Sequence, residues 1–229
     1  MKTALIIVDM QKYYLEKSAT FFSYYEHLYP GSMDYIKDRS RETVIPNIQK
    51  LIEYFRNTNH PVYFLRLCGC KKDRSDLHRF FKKEHDNAYK KGYKDLYPLC
   101  DQKDSEIIDQ LKPHKNDRII CKTTFSPFTL TDFEDTLRKD DITTLVFTGL
   151  ATSQCVETTA RDASDRNFDI IHIRDAQADY NEDNHQISLF NSRSVCGGWV
   201  YDTDEFYSDQ DKILHAIEIN DRSSATKYK

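Results

Sequence analysis

Leu145-Val-Phe-Thr-Gly149-Leu-Ala-Thr-Ser-Gln-Cys155-Val-Glu-Thr-Thr-Ala160 is the stretch on which the fold turns. An apolar, β-rich run stops at Gly149, a short turn follows, and a helix-forming run begins at the cysteine. This places Cys155 beyond the carboxyl end of a buried strand and in the first turn of a helix. Free backbone N–H groups and the positive end of a helix dipole at such a point favour a thiolate. A nucleophile on a strand-turn-helix corner also follows the logic of the hydrolase elbow. The competing reading is a small buried core residue, the usual fate of a free cysteine.

Outward from this segment the chain alternates strand-like and helix-like runs. Thr3–Asp9 is a continuous apolar run ending in a carboxylate, as expected of a strand buried on both faces. Val44–Phe55 has helical spacing, with Ile48, Leu51, Ile52 and Phe55 on one face. Pro61–Leu67, Arg118–Lys122, Thr144–Thr148 and Phe168–Asp175 read as further strands. Ser105–Leu111 reads as a short helix. Thr131 and Glu134 form a capping-box pattern at a helix start, and the helix from Cys155 is expected to reach about Arg166. Helices near Asp183–Val195 and Asp209–Ile219 follow. The alternation predicts an α/β fold, a three-layer α/β/α sandwich on a mostly parallel central sheet of Rossmann type. One domain over residues 1–219 and a frayed tail over 220–229 are expected. Ser18–Arg41 and Lys71–Cys100, aromatic and charged, read as excursions that shape a pocket or a subunit contact.

Composition narrows the class of function. The chain has 229 residues, 39% hydrophobic and 31% charged, with a net charge of −4. That balance makes no electrostatic case for nucleic acid or an anionic membrane. The apolar runs are strand-sized, too short to span a bilayer. An N-terminus that enters a strand at once suggests no signal peptide and a cytoplasmic location. The six cysteines (68, 70, 100, 121, 155 and 196) do not make a disulfide scaffold. Cys68-Gly-Cys70 is too tight to bridge and lacks zinc-type spacing, so these two read as structural.

Asp9 emerges at the carboxyl edge of the first strand, and Lys122 at the same point of the third. Alone, each is an ordinary strand-end residue reaching solvent. Fold logic brings both to the edge that carries Cys155, and an acid, an ammonium and a thiol are the parts of a nucleophilic site. Glu157 and Arg161, four apart on the following helix, suit an ion pair.

Three blocks carry a family resemblance: Val8-Asp9-Met-Gln11, Lys122-Thr-Thr-Phe-Ser126-Pro-Phe128, and Thr148-Gly-Leu-Ala-Thr152-Ser-Gln-Cys155-Val156 with Thr159-Ala-Arg-Asp162. In order and spacing they resemble the signature blocks of the isochorismatase-like cysteine hydrolases. Ser126 through Leu137-Arg138 to Leu189-Phe-Asn191 and Gly198–Asp202 is most similar to the ureidoacrylate/biuret-type amidohydrolases. The resemblance implies catalysis by Asp9, Lys122 and Cys155, and an oxyanion hole from the N–H groups of Ala151 and Cys155. It also implies a cis peptide at Leu150–Ala151 and a pocket near Gln11, Tyr13, Phe128 and Thr152. No cofactor is implied, homo-oligomers are usual, and the partner is a small-molecule substrate. A retained cysteine favours cleavage of an amide or ureido C–N bond through a thioester. Vinyl-ether hydrolysis of the isochorismatase type and a catalytically silent binding member are the alternatives. Nicotinamidases of this superfamily bind a metal through an Asp-x-His and a further His after the second strand. Here Asp76, His78 and His85 are displaced from that place by Leu67–Ser75, so no metal is expected there.

Overall fold

The computed structural model describes residues 2–195 and 198–220. Six strands form one sheet: β1 (Thr3–Val8), β2 (Val62–Leu67), β3 (Arg118–Lys122), β4 (Thr144–Leu150), β5 (Asp169–Ala178) and β6 (Trp199–Tyr201). The spatial order is β3-β2-β1-β4-β5-β6, and every neighbouring pair is parallel. Nine helices surround it among the described residues: α1 (Lys12–Leu15), α2 (Thr20–Leu28), α3 (Asp34–Arg39), α4 (Ile45–Asn57), α5 (Arg79–Lys90), α6 (Phe133–Lys139), α7 (Glu157–Asp165), α8 (Glu182–Val195) and α9 (Thr203–Glu218). This is the layered α/β architecture read from the sequence, with the sheet wholly parallel.

The centre of the sheet explains its apolar strands. Every residue of β1 and of β4 is buried, because helices cover both faces and leave no solvated side for a polar alternation. The strand order reverses between β1 and β4, so chain leaving these two strands diverges and opens a crevice beyond their carboxyl ends. Register sets the depth of that crevice. Val8 lies beside Gly149, and Leu67 beside Lys122, so the first residues past β1, β2 and β4 emerge near the end of β3.

Gly149 is required at this point. Its φ is +100°, and a Cβ built on it would lie 2.2 Å from the Val8 carbonyl oxygen, inside any tolerable contact. Beside it β5 is irregular: Phe147 pairs with His172 but Gly149 with Gln177, so β5 spends more residues than β4 over the same rise. The Phe147 carbonyl is taken up by the Gln177 side chain (Nε2 to O, 2.9 Å), so the bulge leaves this acceptor satisfied.

Several local expectations are corrected. The helix expected from Cys155 begins earlier, as a π-helical turn over Thr152–Val156 that continues into α7. Ser105–Leu111 is two 3₁₀ turns, Lys103–Ser105 and Asp109–Leu111, because Ile107 between them bridges to Gln11. α3 and α4 form one rod joined by a π turn at Ser40–Val44, where the Ile45 N–H reaches back to Ser40 O. Pro46, with no N–H to give, sits just after that turn. The strand β6 was not read from the sequence, and α9 starts six residues before the helix expected at Asp209, with a kink at that residue. All peptide bonds in the described residues are trans, so the cis bond implied at Leu150–Ala151 is absent. The turn there is made by the left-handed Gly149 and the π turn instead. Most of the expected tail, 221–229, lies outside the described residues.

Candidate active site

The three side chains singled out at the sheet edge converge. Lys122 Nζ lies 2.8 Å from Asp9 Oδ2 and 3.2 Å from Cys155 Sγ. It also donates to the Thr124 carbonyl at 3.2 Å, so its three protons have three acceptors. Lys122 crosses the end of β2 to do this and is fully buried, with Asp9 and Cys155 nearly so. Asp9 is held at φ +51°, uncommon for a side-chain-bearing residue, and its N–H is anchored on Leu65 O. Its second carboxylate oxygen, Oδ1, is buried and has no hydrogen-bond partner among the described residues.

Burial opposes the charge on Lys122, yet Asp9 and Cys155 outweigh it, and the ammonium is held above its ordinary value. Burial pushes the Cys155 thiol up, the Asp9 charge adds to this, and Lys122 pulls the other way without prevailing. The sequence favoured a thiolate from the helix terminus alone. In the structure, desolvation and the neighbouring Asp9 charge act against that and push the thiol up beside the Lys122–Asp9 ion pair.

Asp9, Tyr13, Leu67, Leu150, Ala151, Gln154 and Cys155 line a cavity of about 30 Å³ with the rings of Tyr14, Phe21, Phe81, Tyr97 and Tyr180. Larger hollows exist on the surface, but they lie away from these three side chains. The rings hold one another, Tyr13 edge-on to Phe21 at 5.5 Å and Phe81 tilted against Tyr97 at 5.2 Å between centroids. Desolvation keeps Tyr13 and Tyr97 protonated, with the Asp9 charge adding at Tyr13. Phe21 comes from the first excursion, Phe81 and Tyr97 from the second. Sequence reasoning marked those segments but not these residues, because aromatic rings are as common in cores as in pockets.

Of the pocket residues expected from the sequence, Tyr13 lines the cavity and the other three do not. Gln11 is clamped in the backbone: Nε2 donates to Leu67 O (3.1 Å) and Ser105 O (2.8 Å), and Oε1 accepts from Leu67 N (2.8 Å). It thereby ties off β2 where β1 has ended. Phe128 packs on Phe133, with the Arg166 guanidinium over its ring. Thr152 Oγ1 is 2.8 Å from His185 Nδ1, whose Nε2 lies 3.1 Å from Arg39 Nη2. Arginine can only donate, so Nε2 accepts and the proton of the neutral ring sits on Nδ1. Ala151 lines the cavity next to the start of the π turn. That turn is pinned by Asp179 Oδ2, which accepts from Ser153 N at 2.6 Å.

Asp76, His78 and His85 serve other ends. Asp76 accepts from the N–H groups of Cys70 and Lys71, His78 caps α5 through the Phe80 N–H, and His85 Nδ1 accepts from Tyr97 N. Glu157 and Arg161 form the expected ion pair at 2.6 Å. No helix in the described residues is long and apolar enough to cross a membrane.

Residues 3–205 match the family model described as Isochorismatase domain. Over 104 residues the chain is 36% identical to the ureidoacrylate amidohydrolase RutB of Pseudomonas savastanoi pv. phaseolicola, a match spanning 45% of this chain and 42% of that protein. It is 30% identical over 177 residues to the uncharacterized isochorismatase family protein YrdC of Bacillus subtilis, covering 77% of this chain and 74% of YrdC. A solved cysteine hydrolase from Pseudomonas syringae pv. phaseolicola 1448A superposes with a TM-score of 0.70 at 28% identity, over 95% of this chain and 93% of that one.

Proposed function

The chain belongs to the isochorismatase family, and on that premise we propose that it hydrolyses a small amide or ureido C–N bond through a thioester on Cys155. One observation carries the reading: a single buried ammonium touches both a carboxylate and a thiol, at 2.8 and 3.2 Å, and both of these line one small aromatic-walled cavity. The similarity to an amidohydrolase supports it, although the chain spans less than half the length of that relative.

The chemistry follows from the protonation states. Cys155 starts as a thiol, so attack must be coupled to loss of its proton, and Asp9 is the base in reach. The sulfur adds to the substrate carbonyl, and the oxygen takes the displaced electron pair. Backbone N–H groups of Ala151 and Cys155 would receive that oxyanion at the strand-to-helix turn. Collapse breaks the C–N bond, and the nitrogen leaves with the proton held on Asp9. Water then gives a proton to Asp9 and its oxygen to the thioester, which releases the acid and restores the thiol. Lys122 stays charged throughout, stabilising whichever of its two neighbours is anionic.

The lining also bears on the substrate. It contains no Arg, Lys or His, and the one adjacent ammonium is already shared among three acceptors. A substrate carboxylate would be buried without a counter-ion, at a cost of several kcal/mol. The reading therefore favours an uncharged, flat acyl group between aromatic rings. The cavity is smaller than such a molecule, so the rings from the two excursions must part for entry.

The test is a turnover screen for ammonia or amine release. Neutral amides, biuret and nicotinamide are run beside ureido acids and carbamoyl amino acids, with isochorismate as the vinyl-ether control. Turnover of neutral C–N substrates, with mass-detected acylation of Cys155, is the expected result. Cleavage of isochorismate alone, or turnover undiminished in Cys155→Ala, would overturn it.

A further inference from the structure

Four cysteines outside the catalytic cavity are brought together by chain segments far apart in sequence. The Sγ atoms of Cys68, Cys100 and Cys121 all lie within 4.8 Å of one another, and Cys70 Sγ is 3.5 Å from Cys100 Sγ. No other set of three His, Cys, Asp or Glu side chains with metal-ligand spacing occurs among the described residues. We propose that Cys68, Cys100 and Cys121, completed by Cys70, form a binding site for a thiophilic d¹⁰ divalent cation of the zinc type.

The backbone is arranged to hold these sulfurs. Cys68 and Cys70 leave the end of β2, and Cys121 lies in β3 paired with Arg66. Cys100 is fastened between them, its N–H donating to Gly69 O at 3.0 Å, while Gly69 N donates to Pro98 O at 3.0 Å. Cys68 N in turn donates to Lys122 O at 3.1 Å. Thus the donors sit on a strand, a strand end and a loop bridged to that strand end. Tetrahedral thiolate coordination at about 2.3 Å puts the sulfurs about 3.8 Å apart. The Cys70–Cys100 pair, at 3.5 Å, is already near that spacing, and Cys68, Cys100 and Cys121 need to close on one another by about 1 Å at most. Cys70, outside that group of three, swings in from its exposed position as the fourth ligand.

Charge and access fit as well. Three or four thiolates around a divalent cation leave net negative charge. Arg66 Nη2 lies 3.2 Å from Cys121 Sγ to offset it, the outer contact that thiolate sites commonly have. Cys68 is buried, Cys100 and Cys121 are half-buried and Cys70 is exposed, so the cluster opens to solvent on one side for entry. Binding replaces each S–H bond with a sulfur–metal bond and releases one proton per ligand, with no change of oxidation state. Side chains alternate along a strand, so Cys121 faces away from neighbouring Lys122. A cation there would clamp β3 behind the ammonium that reaches Asp9 and Cys155, a structural site and not a catalytic one.

The experiment is a Cd²⁺ and Zn²⁺ titration of the full chain, purified and held under a non-thiol reductant. Thiolate-to-Cd²⁺ charge-transfer absorption should saturate at about one equivalent per chain, Zn²⁺ bound first should be displaced by the softer Cd²⁺, and Zn²⁺ alone should raise Tm. Cys100→Ser and Cys70→Ser should weaken the titration at least about tenfold, while Cys155→Ser leaves it intact. Cys70→Ser alters an exposed loop side chain, so it remains informative if Cys100→Ser or Cys121→Ser fails to fold. Absence of the band in the reduced wild-type chain, its loss in Cys155→Ser alone, or its persistence in both Cys70→Ser and Cys100→Ser would overturn the proposal.

Discussion

Lys122→Met separates the electrostatic role of the ammonium from its bulk, since methionine keeps an unbranched chain of similar length and removes the charge. At 2.8 Å from Asp9 and 3.2 Å from Cys155, a unit charge interacts by about 6 and about 5 kcal/mol respectively at an effective dielectric of about 20. Burial removes much of this gain in the resting state, so the stability cost is set by the orphaned Asp9 carboxylate, about 3–5 kcal/mol. The transition state loses more selectively. Negative charge passes from Asp9 to sulfur as the thiol proton moves, and without Lys122 neither site is stabilised. Alkylation of Cys155 by iodoacetamide at neutral pH should fall roughly a hundredfold or more, followed by mass spectrometry of the peptide carrying Cys155. The double variant Asp9→Asn/Lys122→Met is the control for folding. It removes both charges, so its urea midpoint should recover most of the loss while Cys155 stays unreactive. If Lys122→Met alkylates at the wild-type rate, the ammonium does not serve the thiol. If the double variant is no more stable than Lys122→Met, the ion pair is not what the buried carboxylate requires.

Three further outcomes follow from geometry. Gly149→Ala places a methyl group against the Val8 backbone at a left-handed φ; a loss of at least about 3 kcal/mol in urea denaturation is expected, and a stability within error of wild type would contradict the close approach of β1 and β4. Arg74 is 2% exposed and donates to Tyr97 O at 2.9 Å. Arg74→Met should leave that carbonyl unpaired, cost about 1–3 kcal/mol and raise KM more than it lowers kcat, because Tyr97 is part of the cavity wall. The third outcome concerns His172 and His185, which burial lowers to about 4 from about 6.5, with Arg39 adding at His185. The unfolded chain then binds more protons between these values, so stability is intact above pH 6.5 and falls as pH drops toward 4. The loss is about 3 kcal/mol per histidine. Urea midpoints between pH 7.5 and 5 should show the slope, and His185→Asn should flatten about half of it.

The fold was legible where burial is symmetric and hidden where polar groups make the structure. Continuous apolar runs such as Thr3–Val8 admit one interpretation, a strand covered on both faces, and the edge that holds Asp9, Lys122 and Cys155 follows from parallel topology. The three residues of β6 carry no period to read. The two π turns arise from Pro46 and from the exit of β4, and neither has a periodic signature. Gln11 is expected in the pocket from the family resemblance, by analogy with neighbouring positions in relatives. Its amide replaces ladder bonds that β1 no longer supplies to Leu67, a need visible only once β2 is seen to outrun β1. The cysteine cluster escaped for a related reason: spacing rules detect ligands close in sequence, and Cys68, Cys100 and Cys121 meet only through strand register and one bridged loop.

The protonation state of Cys155 ties these levels together. A helix terminus acts on a thiol at the surface through partial charges of about half a unit, worth about 0.3–1 kcal/mol. Enclosure of the same thiol beside Asp9 acts in the opposite sense and is the larger effect. A site that kept a permanent thiolate would need no base, and Asp9 would then be an expensive neighbour. With a thiol, Asp9 has a proton to accept, Lys122 has a charge to follow, and Asp9 Oδ1, which has no hydrogen-bond partner among the described residues, can take that proton. The aromatic closure that raises the thiol also excludes the water that would screen the transfer. Opening the cavity should therefore act on both counts. Phe81→Ala should lower the pH at which Cys155 alkylates while weakening substrate binding, a paired change that a merely structural ring would not produce. A variant in which KM rises and the alkylation profile stays fixed would place the origin of the raised thiol in Asp9 alone.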